Sequence, residues 1–87
     1  MSLQFQLPEN LDNLSLDPED LRQWASTLQL KRAELGVGVS TSRLLVAYAC
    51  NVALAMEYRL DGRITEAQRL EYKNERIFAR IPQKFQW

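Results

Sequence analysis

The chain of 87 residues has no histidine and a single cysteine, Cys50. Without histidine it lacks the side chain that most often acts as a base or metal ligand near neutral pH. One thiol cannot close a disulfide within the chain, and it cannot build a zinc site without histidine or further thiols. Glycine and proline are scarce, three of each, which excludes a collagen-like or low-complexity chain. Net charge is missing as well, because eleven Lys and Arg balance eleven Asp and Glu. A neutral chain exerts no global pull on nucleic acid or anionic lipid, and it has little self-repulsion to keep copies apart. No basic segment followed by an apolar run opens the sequence, so a signal peptide is not expected. The longest apolar-rich run, Leu44 to Met56, is broken by Asn51 and falls short of the ~20 residues that span a bilayer, so no membrane contact is expected. Cysteine usage this low fits a reducing, cytoplasmic setting.

What is present reads as helix. "DPED" at Asp17 to Asp20 places an N-cap aspartate, a first-turn proline and two acids at the positive end of a helix dipole. Leu21, Trp24, Ala25, Leu28 and Leu35 then recur at three- and four-residue steps, which predicts a helix from Pro18 to about Leu35 with Gly36 as its stop. "GVGVSTS" follows as a linker. Its two glycines lack the spacing and the lysine of a phosphate loop, and Ser40, Thr41 or Ser42 is expected to cap the next helix.

The second helix, about Thr41 to Leu60, is apolar on two sides. Leu44, Ala47, Tyr48, Asn51, Ala55 and Tyr58 share one, and Leu45, Ala49, Val52, Ala53, Met56 and Leu60 share the other. Such a helix must be covered twice, so it is expected at the centre or at a subunit interface. Leu45, Val52 and Met56 are the candidates for contact with a second copy. "DGR" at Asp61 to Arg63 turns the chain, and a third helix is expected from about Ile64 to Ile81, before Pro82. Ala67, Leu70, Asn74, Ile77 and Ile81 form its heptad-like stripe.

The fold expected is therefore all-α: a small three-helix bundle over residues 17–87, with an N-terminal extension at 1–16 and an aromatic C-terminal tail. In the extension, residues 9–14 suit a short helix with Leu11 and Leu14 on one side. In the tail, Phe85 and Trp87 are expected to fold back on the bundle or to dock on a neighbour. A chain this short buries only about 60–65% of its unfolded surface, so self-association is a natural supplement to its core.

Helices two and three run antiparallel across a short turn. Equal distances from Gly62 bring Asn51 and Asn74 to one height, and two buried amides are tolerable only when they share a hydrogen bond. The same register sets Leu44 near Ile81, Ala47 near Phe78 and Arg59 near Glu66. The residues of this hairpin, Leu54 and Ala55, Tyr58, Gly62 and Ala67, resemble one tetratricopeptide motif over about 51–82. Asn51 stands where that family has an aromatic, Asn74 replaces a small residue, and Pro82 comes three residues late. A lone copy does not carry the family's peptide-binding role, because such repeats need about three stacked neighbours. The closing "ERIFARIP…QW" is similar to small bacterial and phage helical proteins of no assigned activity.

No catalytic, cofactor-binding or metal-binding residue stands out, and an enzyme is not expected. Cys50 lies in the apolar helix, where a thiol is packing. Glu71 and Glu75 read as a solvated flank. Arg69, Lys73, Arg76 and Arg80 make a narrow basic stripe, for which Asp17, Glu19 and Asp20 are the natural acidic neighbours, in the same chain or a second copy. Three roles fit: a protein–protein interaction module or adaptor acting as a homo-oligomer with itself and an unknown protein partner; a small nucleic-acid-associated regulator using the basic stripe; or a structural subunit of a larger assembly. The shortness of the stripe and the balancing acids make nucleic acid the lesser partner.

Overall fold

The structure, a computed structural model, describes residues 17–83. The extension at 1–16 and the aromatics Phe85 and Trp87 lie outside the described residues. Three helices make up the fold: α1 (Pro18–Lys31), α2 (Val39–Leu60) and α3 (Ile64–Arg80). They form the small all-α three-helix bundle that the sequence predicts.

Asp17 starts α1 as its side chain accepts a hydrogen bond from the Asp20 backbone N–H at 2.9 Å, with Pro18 behind it in the first turn. Regular helix ends at Lys31, four residues before the expected Leu35. The chain still turns where predicted. Val37 N–H donates to the Arg32 carbonyl at 2.8 Å and Gly36 N–H to that of Ala33 at 3.2 Å, with Gly36 at φ 71°. This pair of bonds is the Schellman closure, which satisfies carbonyls the helix end leaves free. Val37, the residue after the glycine, is then driven into the core beside Leu28.

The second helix begins two residues earlier than expected, with Gly38 rather than a hydroxyl residue as its N-cap and no side-chain cap hydrogen bond. Ser40, Thr41 and Ser42 fall inside the first turns instead. Ser42 is buried and its Oγ donates to the Val39 carbonyl at 3.0 Å, which satisfies the hydroxyl within its own helix and removes it from capping. At the other end the Schellman pattern recurs. Gly62 N–H reaches the Arg59 carbonyl at 3.1 Å, Arg63 N–H reaches that of Tyr58 at 2.8 Å, and Gly62 sits at φ 79°. The third helix stops at Arg80, because Pro82 disfavours helical backbone at the residue before it; Ile81 is extended at ψ 131°.

The outer helices each pack their backbones closely on α2, and they meet each other only through side chains at the Gly36 end. The body is elongated, 42 × 25 × 20 Å. Toward α1, small Ala49 and Ala53 meet Leu21 and Ala25, which lets the backbones approach closely. Toward the Gly36 end, Leu28, Val37, Leu45 and Ile81 form a second buried cluster, so the residue after α3 ties all three helices together. Trp24 packs against both clusters. On the other side of α2, Tyr48 and Phe78 stack tilted with ring centroids 5.5 Å apart, and Ala55 and Ala67 are buried.

Among the described residues α2, with 22 residues, is long and apolar enough by length and composition to cross a membrane, although its longest apolar-rich run, Leu44 to Met56, is shorter. The central helix of a bundle meets the same test. Here two helices cover its flanks.

Candidate functional site

Leu45, Val52 and Met56, the residues expected to meet a second copy, lie on the side of α2 that its own chain uses. Leu45 is fully buried between Leu28 and Ile81, and Val52 and Met56 are half-buried against the Leu21 cluster. The expectation is corrected for Leu45. The cause is the position of α1, which crosses α2 over Leu45, Ala49 and Ala53. A third face of α2 is turned away from Leu45. Ala47, Leu54 and Tyr58 on it are half-buried, and neither buried cluster includes them.

Asn74 is buried, as its place in the apolar stripe of α3 predicts. Its partner differs from the one expected. The side-chain Nδ2 donates to the backbone carbonyl of Tyr48 at 3.0 Å, and Oδ1 has no hydrogen-bond partner among the described residues. Asn51 is half-buried and does not pair with it. Helix carbonyls point along the axis toward the C-terminus, so the Tyr48 oxygen leans toward the level of Asn51 and meets the amide first. A carbonyl has a second lone pair, so it serves its helix and Asn74 together.

Charged side chains bind the helices at the Gly62 end. Arg22 of α1 holds Glu57 of α2 with both carboxylate oxygens, one through Nη1 at 3.1 Å. Arg59 of α2 grips Glu71 of α3 through Nε at 2.8 Å and Nη2 at 2.6 Å. Arg63 pairs with Glu66 and lies over the Tyr58 ring, 4.4 Å from its centroid. The register expectation of Arg59 beside Glu66 is thus corrected: Arg59 reaches one turn further and Glu66 is taken by Arg63. Hydrogen bonds from Arg22 and Arg59 hold the Glu57 and Glu71 carboxyls below their ordinary value, and the three arginines are raised in turn. These groups are exposed, so each pair adds little stability by itself. Position along two antiparallel helices is the signal that finds Arg22–Glu57; no spacing within one helix reveals it.

With those pairs made, most of the remaining charges are segregated, with Glu34 and Glu75 as unpaired acids among the basic residues. Asp17, Glu19, Asp20 and Asp61 at the Gly62 end make no ion pair among the described residues. Neither do Lys31, Arg32 and Arg43 toward the Gly36 end, nor Arg69, Lys73, Arg76 and Arg80 along α3. The stripe is exposed throughout. Among the described residues no ion pair joins it to the acidic start of α1 in the same chain.

Chemistry is sparse. Among the described residues no group of three acidic or thiol side chains is placed to hold a metal ion. Cys50 is a free, half-buried thiol beside the Leu21 cluster. The chain matches no protein-family model, no curated protein and no solved structure.

Proposed function

We propose that this chain is a small helical protein–protein interaction module that works as a homo-oligomer. The third face of α2 carries this reading. The most apolar helix of the chain keeps Ala47, Leu54 and Tyr58 half-buried on a side that contributes to neither buried cluster. A helix apolar all round is stable in water when every face is covered. The short chain, with its small core, gains most from a partner. Zero net charge permits close association. The setting is cytoplasmic, where a single free thiol stays reduced. In this reading α2 is a core helix rather than a membrane span, because ion pairs from Glu57 and Arg59 anchor its last turns to polar neighbours.

Light scattering over a concentration series tests the reading. The expected mass at micromolar concentration is at least twice the 10.1 kDa of one chain. A mass of one chain at the highest concentration contradicts it.

A second reading rests on the unpaired stripe of Arg69, Lys73, Arg76 and Arg80, which suits an anionic partner such as nucleic acid. Binding to duplex DNA or RNA that fades steeply with added salt supports it. Absence of binding at low salt removes it.

A further inference from the structure

The third face of α2 nearly repeats itself about the middle of the helix. Arg43, Ala47, Leu54 and Tyr58 share one side, and Cys50, in step with them, stands at its edge where it also packs against the Leu21 cluster. Cys50 and Asn51 fall at the centre of Val39–Leu60. A two-fold axis between them sets small Ala47 opposite Leu54 of a second copy, and Arg43 opposite its Tyr58. Asp61, one turn beyond Tyr58, comes within reach of the same arginine. Neither Arg43 nor Asp61 has an ion-pair partner within the described chain.

The geometry points to an antiparallel dimer in which α2 packs on α2 of a second copy through this face. The interaction rests on the homo-oligomer reading above and specifies its surface and symmetry. Charge selects the antiparallel orientation. One end of the molecule leaves Asp17, Glu19, Asp20 and Asp61 unpaired, and the other leaves Lys31, Arg32 and Arg43 against the single acid Glu34. Antiparallel copies bring each acidic end to a basic end, while parallel copies stack like on like. A two-fold contact is isologous, so every complementary pair occurs twice and the assembly closes. The broad side of the body measures 42 by 25 Å. That is room for the ~800 Å² per partner found in stable interfaces. Ala47 and Cys50 are small enough to let the two helices approach closely, with Leu54 filling the space across from Ala47.

Two measurements on the full chain test the proposal. In the first, a short bismaleimide is reacted with the native Cys50 while the mass is read by light scattering, with Cys50→Ser as the control. A dimer mass together with a Cys50–Cys50 cross-link supports the geometry. A dimer mass without the cross-link overturns the geometry and leaves the homo-oligomer reading standing. A monomer mass overturns both. In the second, Arg43→Glu and Asp61→Lys are each expected to weaken dimerisation roughly tenfold, since two symmetric pairs become repulsive. Both residues are exposed, so helix content by circular dichroism stays unchanged in either variant. The double variant is expected to return to within about threefold of the native affinity. Equal losses that simply add, with no recovery, overturn the Arg43–Asp61 register.

Discussion

Replacing Asn74 with leucine should stabilise the fold. The side chain is buried, donates one hydrogen bond to the Tyr48 carbonyl and leaves Oδ1 without a partner among the described residues. Losing the hydrogen bond costs about 1 kcal/mol. Tyr48 lies within α2, so its carbonyl keeps its helical bond and is not orphaned. Removing the unsatisfied Oδ1 recovers about 1–3 kcal/mol. The leucine adds apolar burial of about 1.5–3 kcal/mol at full value, against about 1–3 kcal/mol of repacking beside Tyr48 and Phe78. The expected balance is a gain of about 1–2 kcal/mol. In a domain of this size each kcal/mol moves the melting temperature by about 4–8 °C. Thermal unfolding followed by circular dichroism reads it, and urea unfolding gives an independent value. A fall of several degrees would refute the reasoning and mean that both ends of the amide are satisfied. Asn51→Leu provides the control. Because the two asparagines do not pair, their effects should add within about 0.5 kcal/mol. A coupling above about 1 kcal/mol would restore the side-chain pair that the register suggests.

Gly62 at φ 79° has room for a Cβ, so Gly62→Ala should cost about 1–2 kcal/mol from backbone strain alone, read by urea unfolding. Gly38 caps α2 with ordinary backbone and open space, and Gly38→Ser is expected to add a few tenths of a kcal/mol by supplying the missing cap. Ala53→Leu should destabilise by about 1–3 kcal/mol, because the fully buried Ala53 sits where α1 and α2 approach. The carboxyls of Glu57 and Glu71 are held below the ordinary 4.5, so their pairs stabilise the fold in full above that pH and lose the contribution as pH falls through the lowered values. Melting curves of Glu71→Gln taken from neutral pH downward should therefore show a shallower acid decline than the native chain. An identical decline would show that Glu71 plays no part.

Much of the fold follows from local signals. Asp17 and Pro18 mark the start of α1, Gly36 and Gly62 mark the Schellman closures, and Pro82 marks the end of α3, because each acts through its own backbone. The two-sided apolar pattern of α2 likewise places it between two neighbours. What the pattern leaves open is which neighbour takes which side. Leu45 reads as a surface candidate until α1 and Ile81 are seen to cover it. A register counted from Gly62 is good to about one residue. It sets Ala47 beside Phe78, while the ring that meets Phe78 is that of Tyr48. For polar groups the reach of a long side chain or the direction of a carbonyl decides the partner, as with Glu71 in place of Glu66 and the Tyr48 carbonyl in place of the Asn51 amide. Backbone acceptors leave no trace in a pattern of side chains. The candidate surface on α2 is legible as apolar positions, and that Ala47, Leu54 and Tyr58 stay outside both buried clusters emerges only from the packing.

The central claim is that the third face of α2 binds protein, and sedimentation equilibrium of the native chain beside Leu54→Glu tests it most directly. Leu54 belongs to neither buried cluster, so the variant should keep its helical signal. The native chain is expected to sediment as a dimer or larger species at micromolar concentration, and Leu54→Glu as a single chain of 10.1 kDa. A native chain that stays monomeric, or a variant that associates as strongly as the native chain, would contradict the account.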